Sequence, residues 1–136
     1  VADWARMGVK ARSGAFQGSG AASILLPQGR KGPAFIAYPN YRIYFDWNQS
    51  YVYVTTAAYF ATRLSGAPVF NAMSPEPGLT DSQMKDLQRK LAKRGHDVGK
   101  IDGILGSGTR AAVQIEQQRL GLPADAWPTP ALLSKL

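Results

Sequence analysis

A break at Met73-Ser74-Pro75-Glu76-Pro77-Gly78 divides this chain into two unlike parts, and it limits the fold more than any other feature. Two prolines, a glycine and a serine within six residues read as a linker. Before it the chain is aromatic and rich in glycine, with few acids. After it come short helical periods with alternating charges. Parts this short bury little surface, so each must be a compact bundle or lean on a neighbour. The expected organisation is residues 1–72, a linker at 73–78 and a second unit at 79–136.

Several kinds of chemistry drop out early. There is no cysteine, which removes a disulfide scaffold, a thiolate zinc site and a cysteine nucleophile. His96 is the only histidine, so no metal site and no Ser-His-Asp set is arguable, and a surface position is expected for it. Gly103-Ile104-Leu105-Gly106-Ser107-Gly108 lacks the Lys-Ser/Thr that completes a phosphate-binding loop. No cofactor and no metal are expected. No apolar run approaches the ~18 residues that span a bilayer. The start, Val1-Ala2-Asp3-Trp4, is neither Met nor a signal peptide, and the chain reads as a piece of something longer. The net charge of +7 favours polyanions such as nucleic acid, anionic lipid or an acidic wall polymer. The one dense basic stretch, Lys85, Arg89, Lys90, Lys93 and Arg94, fits a solvated helix face as well as a binding patch.

The chain reads as mainly α with a small β hairpin. Ser23-Ile24-Leu25-Leu26, stopped by Pro27, pairs with Ala34-Phe35-Ile36-Ala37-Tyr38, stopped by Pro39. Gly29-Arg30-Lys31-Gly32 connects them. Tyr51–Thr56 has strand propensity, but Tyr53, Ala57, Phe60 and Leu64 recur at helical spacing with Val54, Ala58 and Ala61 beside them. This predicts an inner helix over 50–64, capped by Asn48 or Ser50 and ended by Gly66. Thr80 or Asp81 opens a helix with Met84, Leu87 and Leu91 on one face, closed by Gly95. Ser107 or Thr109 opens another, to about Leu120. Thr129-Pro130 opens a short last one. A weak internal echo joins Val98–Gly103 to Gly121–Ala126, each with an Asp turn before a Thr-led helix.

Leu87-Gln88, Leu91, Gly95, Asp102-Gly103-Ile104-Leu105-Gly106, Thr109, Ala112-Val113, Gln117 and Gly121-Leu122 resemble the small three-helix peptidoglycan-binding module of bacterial wall hydrolases, over residues 79–136. Glu116 departs from it by standing where the module usually has an aromatic, and Ala126 by replacing the Gly of the second turn. Gly32-Pro33-Ala34-Phe35, Pro39-Asn40-Tyr41-Arg42-Ile43 and Trp47-Asn48-Gln49-Ser50-Tyr51-Val52-Tyr53 resemble the end of the catalytic domain of lytic transglycosylases of the membrane-bound type B family. The resemblance implies that residues 1–72 are the remnant of a lysozyme-like domain. That family cleaves the MurNAc–GlcNAc bond to 1,6-anhydro products with one Glu in a Glu-Ser/Thr-x-x-Gly segment. Neither Glu76 nor Glu116 has that setting, so no catalytic residue is expected here and the chain alone should be inactive.

By the same resemblance Asn48 and Tyr53 face the sugar cleft, and Trp47 stacks on a sugar ring or packs internally. In the module, Gln88, Lys90, Lys93 and Asp102 are expected to border a shallow groove, with Asp102 also holding its own turn. The implied partners are glycan strands, stem peptides and an N-terminal catalytic segment, in the periplasm or cell envelope. The alternative is a basic helix-loop-helix nucleic-acid binder. Its turn has 3–4 residues, whereas the loop here is about 12. The second helix carries only Arg110 and Arg119, with Glu116 opposing them, so no nucleic acid is expected.

Overall fold

The computed structural model describes residues 1–12 and 14–136. Six helices and one two-stranded hairpin form among the described residues. The first part runs α1 (Ala2–Arg6), β1 (Ser23–Leu25), β2 (Phe35–Ala37), a 3-10 turn (Pro39–Arg42), α2 (Ile43–Trp47) and α3 (Tyr51–Leu64). The second runs α4 (Asp81–Lys93), α5 (Ser107–Arg119) and α6 (Pro130–Leu133). β1 and β2 are antiparallel, with Ile24 opposite Ile36. No described helix is long and apolar enough to cross a membrane.

The contest at residues 51–56 goes to the helix. Ser50 caps α3 by accepting the Tyr53 N–H at 3.3 Å. The β-branched Thr55 and Thr56 donate back to the carbonyls of Tyr51 and Val52 at 2.7 and 2.8 Å, which suits a helical backbone. The expected inner face is corrected, however. Val54 is fully buried, while Tyr53, Phe60 and Leu64 are 48, 61 and 74% exposed. The buried stripe runs through Val54 and, partly, Tyr51, Thr55, Ala58 and Tyr59. It packs toward the hairpin, where Phe35, Tyr59 and Phe70 stack at steep angles with centroids 4.9 to 6.1 Å apart.

The second part has a conventional core. Met84, Leu87 and Leu91 of α4 meet Val98, Ala112, Val113 and Leu132. Thr80 and Gln83 form a reciprocal capping box that fixes the start of α4. Thr129 caps α6 by accepting the Leu132 N–H at 3.2 Å, with Pro130 in the first turn. Thr109 does not cap α5; Gly106 holds the cap position, and Thr109 is buried within the first turn.

The linker is extended but tied down. The Ser74 N–H donates to the Lys31 carbonyl at 3.1 Å, and Lys31 pairs with Glu76. The indole Nε1 of Trp127 donates to the Glu76 carbonyl at 2.9 Å. Between the parts, Asp125 accepts the Arg30 N–H at 2.9 Å, and Arg110 donates to the Pro27 carbonyl at 2.9 Å. Residues 27–32 of the hairpin loop and 74–78 of the linker therefore both hold the second part, chiefly at its 125–127 turn.

The internal echo is a repeated hydrogen-bonding device. In the first copy the Gln88 side-chain carbonyl accepts the Gly103 N–H at 3.0 Å, and Asp102 accepts the Ile104 N–H at 2.8 Å. In the second the Gln117 side-chain carbonyl accepts the Ala126 N–H at 2.9 Å, and Asp125 accepts the Trp127 N–H at 3.1 Å. The pivots are left-handed in both, with Gly103 at φ +83° and Ala126 at φ +60°. A Cβ is unfavourable there. Ala126→Gly should raise stability by about 0.5–1 kcal/mol after the entropy of the extra glycine is subtracted. Chemical denaturation checks this, and a lower midpoint would contradict it.

Candidate functional site

Trp47, Asn48 and Tyr53 meet at the corner between α2 and α3. Asn48 ends α2 in an extended conformation, and its side-chain carbonyl accepts the Ser50 N–H at 2.8 Å. That bond turns the chain into the Ser50 cap of α3, so Asn48 sets up the corner while Ser50 is the cap. The turn brings the Trp47 and Tyr53 rings to 5.2 Å between centroids at 62°. Both remain exposed, at 67 and 48%. An open aromatic edge beside an amide can stack on a sugar face and hydrogen-bond its hydroxyl or N-acetyl groups.

The four module residues do not share one surface. Gln88 is 1% exposed and lines no groove, which corrects the expectation for it. Its amide nitrogen donates to the Ile104 carbonyl at 3.1 Å and to Thr109 Oγ1 at 3.3 Å, with Asp102 at 3.4 Å. It is the buried peg on which the loop hangs. The bond from the Ile104 N–H holds the exposed Asp102 carboxyl below the ordinary carboxylate range. Lys90 turns away from this loop and donates to the Leu133 carbonyl of α6 at 3.3 Å. Lys93 is exposed. The structure thus joins Gln88 to Asp102, and separates both from Lys90 and Lys93.

Glu116 is 3% exposed, and a small ionic cluster compensates its burial. His96 Nε2 and Arg119 Nε each lie 2.8 Å from it, and Arg94 Nη1 lies at 3.6 Å. His96 is therefore partly buried and partnered, contrary to the surface position expected for it. Burial raises the Glu116 pKa, but the bonds from His96 and Arg119 and the charges of Arg119 and Arg94 outweigh it, and the net shift is downward. A lowered folded pKa stabilises above the unfolded value, and that stability is lost as pH falls through the folded one. Glu116→Gln should flatten the acid limb of the stability profile and lower stability at neutral pH by about 1–2 kcal/mol. Urea midpoints measured between neutral pH and about pH 2 test it. An unchanged acid limb would show that the cluster is not what the acid transition reports.

Two residues that the sequence did not single out stand at the junction of the parts. Arg110 is 8% exposed, with its guanidinium 4.5 Å from the centre of the Tyr51 ring. Burial lowers the Arg110 pKa and raises that of the Tyr51 phenol. Trp127 packs on Gly29 and Gly78. Between them a cavity of about 530 Å³ opens, with walls from both parts. Only a cation in the first turns of an otherwise small-residue helix could have flagged Arg110. No group of three or more metal-ligating side chains gathers among the described residues.

Residues 1–62 match the family described as "Transglycosylase SLT domain". Residues 80–136 match the family described as "Putative peptidoglycan binding domain". Comparison with curated proteins gives no match. The chain is similar to the crystal structure of SltB3 from Pseudomonas aeruginosa in complex with NAG-anhNAM-pentapeptide, at 42% identity and a TM-score of 0.73. It is also similar to the SltB3 complex with NAG-NAM-pentapeptide, at 41% and 0.72. In both, 98% of this chain aligns and spans 37% of the SltB3 chain. The likeness covers both parts and their junction, with the hairpin and α-helices of a lysozyme-like fold in the first part. The first part thus matches a transglycosylase SLT domain and the second a peptidoglycan-binding domain.

Proposed function

We propose that this chain binds peptidoglycan, as the wall-engaging portion of a periplasmic lytic transglycosylase that cleaves the MurNAc–GlcNAc bond to 1,6-anhydro products. The observation that carries this is the likeness over nearly the whole chain to SltB3, in structures that hold NAG-anhNAM-pentapeptide and NAG-NAM-pentapeptide. The Trp47, Asn48 and Tyr53 corner is the proposed sugar contact in the first part. The basic face of α4, through Lys93 and its neighbours, attracts stem-peptide carboxylates at longer range. An N-terminal catalytic segment is the proposed partner of the exposed face carrying Phe60 and Leu64.

Catalysis is assigned outside this chain. Glu116 is held by Arg94, His96 and Arg119 and Glu76 by Lys31, so neither has the setting of a general acid. The nucleic-acid alternative is disfavoured because Arg110 is buried and Arg119 pairs with Glu116.

Pull-down with purified sacculi tests the reading. The chain should be enriched over a charge-matched control protein and should release no muropeptides. Reversing Lys90 and Lys93 to Glu should weaken binding more at low salt than at high salt. No enrichment would overturn the reading, and release of 1,6-anhydro products would overturn the assignment of catalysis elsewhere.

A further inference from the structure

Arg110 is a buried cation without an anion. Its Nη2 reaches the Pro27 carbonyl, but Nε is buried with no hydrogen-bond partner. Among the described residues no carboxylate lies within ion-pair distance of it. The Tyr51 ring offsets part of this through its π face. A buried guanidinium is otherwise unfavourable until an acceptor completes it.

Arg110 also lines the 530 Å³ cavity between the two parts. The other walls are largely apolar, with Phe35, Tyr59 and Phe70 on one side and Leu105 and Trp127 on the other. An apolar chamber with one convergent charge suits a small ligand whose acid group is its anchor. We propose that this cleft binds a short peptide carrying a free carboxylate, with the acid on Arg110 and the aliphatic side chains against the aromatic walls. Resting on the proposed wall binding, the ligand is a stem peptide, which is short, acidic and rich in small apolar side chains. The site is distinct from the Trp47 corner and draws on both parts, so it exists only while they are docked.

The test titrates the full chain with N-acetylmuramoyl dipeptide, once as the free acid and once with its carboxyl groups amidated, and reads the tryptophan indole resonances by NMR. The acid should shift the Trp127 indole and saturate. The amide should bind at least about tenfold more weakly, because the charge-assisted bond is lost. Arg110→Met should abolish the difference between the two probes. Should that variant fail to fold, as a melting curve would show, the comparison on the unaltered chain still decides. Equal affinity for acid and amide, shifts confined to the Trp47 indole, or no binding of the acid would each overturn the proposal. Sacculus binding that persists in those cases leaves the broader reading standing; its loss would remove both.

Discussion

Replacing Gln88 by leucine should lower stability by about 3 kcal/mol, although leucine is apolar and of similar size. The buried amide serves the Gly103 N–H, the Ile104 carbonyl and the Thr109 hydroxyl at once. Leucine would satisfy none of them, and desolvated polar groups without partners cost more than the bonds contribute on balance. Gln88→Glu should be no milder, since it would bury a carboxylate against the Ile104 carbonyl and the Asp102 carboxyl. Urea denaturation with unchanged slope would report the loss, and a difference under about 1 kcal/mol would mean that water replaces the amide.

Gly29→Ala should act between the parts rather than within either. Gly29 stands at φ +73°, and an added Cβ would meet Trp127 Cβ at 2.6 Å and Asp125 Oδ2 at 2.9 Å. The left-handed strain alone costs about 1–2 kcal/mol, and the overlap forces the hairpin loop off the module by a further 1–3 kcal/mol or so. The bond from the Arg30 N–H to Asp125 and the Arg110 contact would weaken together. The expected result is a melt that splits into two transitions, with the second part keeping most of its own stability. A single transition at an unchanged temperature would show that the docking does not depend on this contact.

What the sequence revealed followed the strength of local signals. The caps at Thr80 and Thr129, the glycine stops and the Met84, Leu87 and Leu91 stripe lie within single helices, and they were legible. So was the hairpin, because Pro27 and Pro39 bracket its strands. The face of α3 was misread because Tyr53, Ala57, Phe60 and Leu64 have the right spacing, and spacing does not say which of two apolar faces meets a neighbour. Gln88 looked like a surface residue since it is polar, and its buried role depends on a loop 15 residues away. Glu116 stands out as a departure, but its partners come from the end of α4, the loop after it and α5. Arg110 and Trp127 act across the junction, where no local pattern reaches. At the proposed sugar-facing corner Trp47, Asn48 and Tyr53 came from the family resemblance, and the structure shows that they lie together.

The strap at residues 74–78 has one more implication. A slack tether lets two binding modules search independently, and its length sets their effective concentration for a common polymer. Here Ser74, Glu76 and Gly78 are each fastened, so the tether contributes almost no search volume. Under the proposed function, the two grips would work as a fixed-gauge caliper: strands presenting sugar and peptide at the matching distance would be held at little additional entropic cost, and strands out of phase by one jaw only.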